Sequence, residues 1–144
     1  MLDTNIISDL VRNPQGKTAK RVAKAGEDNI CTSIIVAAEL RYGCARSGSK
    51  RLRDAVEDLL SEIAVLPFDV PADAEYGSIR SQLEAAGKSI GPNDLLIAAH
   101  ARAADATIVT ANAATGYEGM EKPTQLPMIL IPTGRGRARR SDSW

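Results

Sequence analysis

The amino-acid sequence predicts an α/β domain in which helices cover both faces of a central parallel β-sheet. Short β-branched segments alternate with longer segments of helical spacing, and the breaks between them are short. Parallel strands need helical crossovers between them, so this alternation favours a parallel sheet. With 144 residues, of which 44% are apolar, the chain is long enough for one compact domain with its own core.

Strands are predicted around residues 1–3, 30–32, 64–68 and 107–111. These segments are short, apolar and rich in β-branched residues, as buried strands are. Helical spacing is found in residues 17–26, 33–46, 50–63, 72–87 and 91–106. Gly26 and Gly87 are typical of helix ends, and Pro92 is typical of a first helical turn. Residues 128–131, "MILI", are a candidate for one more strand.

The C-terminal part of the chain has a different composition. Residues 113–127 are rich in turn formers, and residues 133–144 are basic and contain glycine. We therefore divide the chain into a single domain, residues 1–132, and a basic tail, residues 133–144. Composition predicts a flexible, solvated tail, and an RNA-contacting arm is the alternative.

Charge and cysteine content restrict the class of protein. The formal net charge is zero and the pI is about 6.6, so a polyanion would have to be held by a local patch or a metal. Cys31 and Cys44 match neither a zinc-site spacing nor a disulfide scaffold. The sequence has neither an apolar run of membrane-spanning length nor a signal-peptide pattern at its start. We expect a reduced, cytoplasmic protein with no membrane partner.

Acidic and amide side chains follow or flank the predicted strands. Asp3 ends the first strand and Asn112 ends the segment "TIVTAN", so both are expected at the carboxyl edge of the sheet, where α/β proteins bind ligands. Glu39 lies about two turns into a predicted helix, on an apolar face, and Asp94 lies in the first turn of another. Buried carboxylates are costly unless they are paired or bind a cation, and Mg²⁺ prefers such oxygen ligands.

Each acid also has a simpler structural interpretation. Asp3 is a candidate helix N-cap, and Asp94 would interact favourably with a helix N-terminus. Glu39 is a candidate partner of Arg41 or Arg46 on its own helix. These alternatives explain the acids one by one, whereas a shared cation explains why all of them accompany segments predicted to be buried.

Four motifs, in order, carry a resemblance to a known family: "LDTNIIS", "AAELRYG", "GPNDLLIAAHA" and "TIVTAN". Over residues 1–112 the chain resembles the PIN-domain ribonucleases, specifically the VapC-type toxins of bacterial toxin–antitoxin pairs. The resemblance implies a PIN-like three-layer α/β/α domain with endoribonuclease activity that depends on Mg²⁺ or Mn²⁺. It also implies a structured RNA substrate such as tRNA, a homodimer, and a cognate antitoxin as partner.

The resemblance also implies roles for individual residues. Asp3, Glu39 and Asp94 match the family's acidic metal site. Asn112 falls where many members have a fourth acid, and it joins these three in the predicted catalytic group. Thr4 is expected to support the metal site.

The sequence departs from the family's pattern at two places, and two alternative functions stay open. Only Met1 and Leu2 precede the first aspartate, and "AATGYEGMEKP" replaces the acidic-aromatic segment that relatives commonly carry after position 112. An inactive PIN-like module that docks an antitoxin or RNA is therefore one alternative. The other is an aspartyl-phosphate phosphatase with Asp3 as nucleophile, which needs a second acid where Asn5 stands. His100 is predicted to have a structural or surface role, not to act as a general base.

Overall fold

The computed structural model of the protein describes residues 1–111 and 129–130. The helices are α1 (Thr4–Arg12), α2 (Lys17–Ala25), α3 (Ile34–Ser47), α4 (Lys50–Glu62), α5 (Ala72–Ala85) and α6 (Pro92–Ala103), with a 3₁₀ turn at Glu27–Asn29. The strands are β1 (Cys31–Ser33), β2 (Ala64–Leu66), β3 (Val109–Thr110) and β4 (Ile129–Leu130). The predicted strand regions and the five predicted helices are confirmed, with ends that differ by a few residues.

The strands form one parallel arrangement with Leu2 at its centre. β1 pairs in parallel with β2, and β3 pairs in parallel with β4. Leu2 bridges Thr32 on one side and Val109 on the other, also in parallel. Its amide donates to the Cys31 carbonyl at 2.7 Å, and the Asp3 amide donates to the Val109 carbonyl at 3.0 Å. The spatial order is therefore β2, β1, the segment at Leu2, β3 and β4, which is the predicted parallel sheet.

Side-chain caps fix where several helices begin. Ser33 accepts from the Ile35 amide at 3.0 Å at the start of α3, and Ser49 accepts from the Leu52 amide at 3.2 Å at the start of α4. The Asp3 carboxylate accepts from the Thr4 amide at 2.7 Å and so caps α1. Sequence patterning did not predict α1 as a separate helix. At nine residues it is short, and packing of its buried face stabilises it more than propensity does.

The core is built from aliphatic side chains on these helices and on the sheet. Ile6, Ile7, Val36, Ile79 and Ile97 are at most 1% exposed. α5 packs against α6, while α1 contacts α2, α3 and α4. Among the described residues, no helix has the length and apolar character needed to cross a membrane.

His100 joins α6 to the sheet. It is only 4% exposed, and its Nδ1 lies 2.8 Å from the Ser33 hydroxyl. Its ring meets that of Phe68 edge-to-face, with centroids 5.5 Å apart. Burial lowers the pKa of the imidazole, so the neutral ring is favoured. The structure thus places His100 in the core, as the structural interpretation predicted, and not at the surface.

Candidate metal and catalytic site

Asp3 lies at the carboxyl end of the central strand segment and is 4% exposed. One carboxylate oxygen, Oδ1, accepts from the Thr4 amide, and the other, Oδ2, accepts from the Thr110 hydroxyl at 2.8 Å. Thr110 ends β3, so this bond crosses from one strand to its neighbour. Asp3 is thus a helix cap, as its simpler interpretation required, and at the same time a carboxylate fixed at the ligand-binding edge of the sheet.

Glu39 reaches the same edge from α3. Its Oε2 accepts from the Thr4 hydroxyl, and its Oε1 accepts from the Asn93 side-chain amide at 2.8 Å. The alternative pairing with Arg41 is wrong, because that guanidinium makes two bonds to Glu57, at 2.8 and 2.9 Å. Two neutral donors from different elements therefore orient the Glu39 carboxylate without removing its negative charge. Thr4, predicted to support the metal site, thus contacts one of the three acids.

Asp94 occupies the first turn of α6, as predicted, after Gly91 and Pro92. A Cβ atom at position 91 would lie 3.1 Å from the Asp94 Oδ2 atom, which is tighter than most such contacts. A residue without a side chain therefore lets the carboxylate fold back over the helix start. The spacing in "GPND" sets both the helix start and the position of the acid.

Electrostatic coupling shows that the three acids share one region. The pKa of Asp94 rises to about 6, chiefly through burial and further through the charges of Asp3 and Glu39. Burial also raises the pKa of Asp3, against the hydrogen bond from Thr110, and the charge of Glu39 raises it further. The charge of Glu39 thus raises the pKa of both aspartates, and carboxylates crowded in this way favour a cation.

The carboxylates are neighbours but not a closed set of ligands. Within residues 1–111 and 129–130, no three Asp, Glu, His or Cys side chains are arranged so that they could hold a metal ion. Neutral donors orient Asp3 and Glu39 instead. The donor chemistry nevertheless fits a hard divalent cation, because every anionic group here offers oxygen, and Mg²⁺ keeps several waters beside a few carboxylates.

Sequence reasoning missed two residues of this site. Asn93 and Thr110 each donate to one of the acids, and neither was predicted. The position of Asn93 beside Asp94 was a usable signal, and so was a polar residue at the end of a buried strand. Asn112, predicted to complete the catalytic group, lies outside the described residues. Asn5 is exposed on α1.

When the chain is compared with known protein families, residues 1–115 match the PIN domain. The chain belongs to the PIN-domain family. Among relatives of this PIN domain, the chain is 40% identical over 114 residues to "Ribonuclease VapC2" of Rickettsia felis, covering 78% of this chain and 85% of the relative. It is 35% identical over 113 residues to the "tRNA(fMet)-specific endonuclease VapC" of Shigella flexneri, with the same two coverages.

A solved structure supports the same assignment for this PIN domain. VapBC2 from Rickettsia felis, bound to a DNA fragment from its promoter, superposes with a TM-score of 0.76 at 32% identity. The superposition covers 91% of this chain and 96% of the other. The predicted family and the predicted three-layer α/β/α fold are confirmed. Family membership also removes the basis for the phosphatase alternative.

Proposed function

We propose that this PIN domain is a divalent-metal-dependent endoribonuclease and the toxin of a toxin–antitoxin pair. The observation that supports this most directly is the convergence of Asp3, Glu39 and Asp94 on one edge of the sheet, where the charge of Glu39 raises the pKa of both aspartates. The ribonuclease names of its relatives supply the reaction class. The substrate class we propose is structured RNA such as tRNA.

In this proposal the three carboxylates hold Mg²⁺ or Mn²⁺, and Asn112 belongs to the catalytic group. When bound there, the cation would supply a water of lowered pKa and would neutralise charge on the phosphate. The Thr4 hydroxyl and the Asn93 amide keep both oxygens of Glu39 in place, and Thr110 does the same for one oxygen of Asp3. Fixed ligands lower the reorganisation needed when substrate arrives.

The proposed partners follow from the same relatives. VapBC2 is solved as a complex bound to promoter DNA, and we propose that this chain likewise binds a cognate antitoxin. An acidic cleft suits a basic antitoxin side chain placed over the carboxylates. We also propose a homodimer that acts in the cytoplasm.

The test is RNA cleavage by purified protein with Mg²⁺, with Mn²⁺ and with chelator. We expect cleavage only with metal, and a loss of at least about 100-fold in Asp3→Asn. Asp73→Asn is the matched control, because Asp73 is an exposed carboxylate in the first turn of α5. It should cleave at the parental rate. Cleavage that persists in chelator would refute the metal-dependent mechanism.

A second function is favoured by one observation. The described acids do not form a ready set of metal ligands, as a PIN-like module that binds without cleaving would show. That module would bind antitoxin or RNA, and neither metal would produce cleavage. The same assay therefore separates the two functions.

A further inference from the structure

α2 carries an unusual concentration of positive charge. Its nine residues include four cations, Lys17, Lys20, Arg21 and Lys24, and no acid. All four side chains are exposed. The whole chain has a formal net charge of zero, so this helix is a local basic surface on a protein with no overall positive field.

The four cations share one side of the helix. At 100° per residue they fall within an arc of about 100°, and the buried Thr18 and half-buried Val22 lie on the other side. We call this surface the α2 basic face. A cationic face this narrow presents its charges together to a partner with closely spaced negative charges.

The α2 basic face has no acidic partner within the described part of the chain. The ion pairs there join Arg41 to Glu57, Lys50 to Asp54, Arg80 to Glu84 and Arg102 to Glu75. Glu27 and Asp28 follow α2 in the 3₁₀ turn, yet neither pairs with it. Among residues 1–111 and 129–130, nothing neutralises its charge, which suits a negatively charged partner.

α4 provides the contrast. It also begins with cations, Lys50, Arg51 and Arg53, but four acids follow in the same helix. Lys50 is paired with Asp54, and Arg41 of α3 binds Glu57. The charges of α4 are thus balanced locally, as on an ordinary solvated helix, whereas those of α2 are not.

The position of α2 suits an extended substrate. α1 begins at the capping Asp3 and is about 13 Å long, a distance comparable to about four stacked nucleotides. α2 follows after a short turn and packs against α1. An RNA whose scissile phosphate lies at an acidic, repelling site needs compensating contacts elsewhere along its backbone.

We propose that the α2 basic face binds the phosphate backbone of the RNA substrate, away from the carboxylate site. This inference rests on the proposed ribonuclease function for its choice of partner. The spacing of charges on one face complements a phosphodiester chain, and lysine and arginine are its usual electrostatic contacts.

The test measures binding of a fluorescein-labelled tRNA to the full chain in chelator, where no metal-dependent cleavage occurs. The variant carries Lys17→Gln, Lys20→Gln and Lys24→Gln. The matched control carries Lys50→Gln, Arg51→Gln and Arg53→Gln, which changes net charge equally. We expect the α2 variant to bind tRNA at least about tenfold more weakly than the parent. The slope of log affinity against log salt concentration should decrease in magnitude by about 2. The control variant should change the affinity less than twofold.

A second measurement separates affinity from chemistry. Single-turnover cleavage with saturating protein and Mg²⁺ should stay within twofold of parent in the α2 variant, and replacing the same lysines with arginine should restore affinity. Equal affinities for the α2 variant and the control would overturn the inference. So would a variant that loses only its complex with antitoxin, because the partner would then be a protein.

The inference and the proposed function fail in different ways. If the parent binds tRNA through α2 but never cleaves it, the nuclease proposal is wrong and the basic face stands. If the parent cleaves RNA and the α2 variant binds as tightly as parent, the basic face is wrong and the nuclease proposal stands.

Discussion

At the scale of single residues, the site is organised by neutral donors. Thr4 and Asn93 each hold one oxygen of Glu39, and the Thr4 amide and Thr110 hydroxyl hold the two oxygens of Asp3. Neutral donors fix a carboxylate while leaving its charge for a cation. A lysine or arginine in the same place would compete with the metal.

Asn93→Ala tests this arrangement. Without the amide, the Oε1 atom of Glu39 loses its partner, so we expect Mn²⁺ affinity and cleavage to fall about tenfold, the usual effect of removing a group that orients a metal ligand. Isothermal titration with Mn²⁺ and initial cleavage rates measure the two effects. Asn29→Ala is the control, because the Asn29 side chain donates an exposed bond to the Ala25 carbonyl and not to one of the acids. Unchanged Mn²⁺ affinity in Asn93→Ala would show that Glu39 needs no such support.

Sequence reasoning reached the acids of the site but not their donors. Asp3, Glu39 and Asp94 were recognisable because each charged residue stands beside apolar neighbours. Asn93 and Thr110 contact acids that are 54 and 107 residues away in sequence, so their roles depend on how the sheet is assembled. An ordinary polar residue gives no signal of such a contact until the fold is known.

At the scale of elements, the periodicity of apolar residues and the residues typical of helix starts and ends predicted most of the fold. The helix from Lys17 ends at the Gly26 cap, and Pro92 begins α6, as expected. α1 was missed because nine residues next to a strand give too short a pattern. The strand at Leu2 also pairs on both sides through a single residue, which no local pattern can specify.

His100, which joins α6 to β1, should make the free energy of unfolding depend on pH. His100 is neutral and buried in the fold, with its pKa below the value of about 6.5 in the unfolded chain. Below pH 6.5 the unfolded state binds more protons, so the free energy of unfolding should fall as pH decreases, by at most about 1.4 kcal/mol per pH unit. The loss should level off once pH falls below the folded-state pKa.

Urea unfolding of the parent and of His100→Gln between pH 5 and 8 measures this dependence. The difference between the two slopes isolates the histidine from the carboxylates. Above pH 6.5 the variant should be less stable than the parent, because it lacks the bond to Ser33. Below pH 6.5 its free energy of unfolding should depend less steeply on pH than that of the parent. Identical slopes would mean that the imidazole does not titrate on unfolding.

At the scale of the whole molecule, opposite charges are separated within a neutral chain. The acids gather at the carboxyl edge of the sheet, while α2 carries four cations without an acid. A uniform distribution would give neither a cation site nor a phosphate-binding surface. The zero net charge therefore correctly excluded a global basic field, but it could not reveal how the charges are distributed.

Crowding the acids at one edge should lower the free energy of unfolding in the absence of metal, and metal should reverse this effect. Without metal at pH 7.5, the raised pKa of Asp94 means that its charge destabilises the fold, so Asp94→Asn should raise the free energy of unfolding, by an amount on the order of 1 kcal/mol. Mn²⁺ at about 100 times its Kd should stabilise the parent by about 2.7 kcal/mol and the variant by much less. The order of stability should therefore reverse when metal is added.

Urea unfolding in chelator and in Mn²⁺ measures this reversal, with Asp73→Asn as the control that should follow the parent in both conditions. Equal stabilisation of Asp94→Asn and parent by Mn²⁺ would remove Asp94 from the metal site, because an amide in place of a charged ligand cannot bind the ion as tightly.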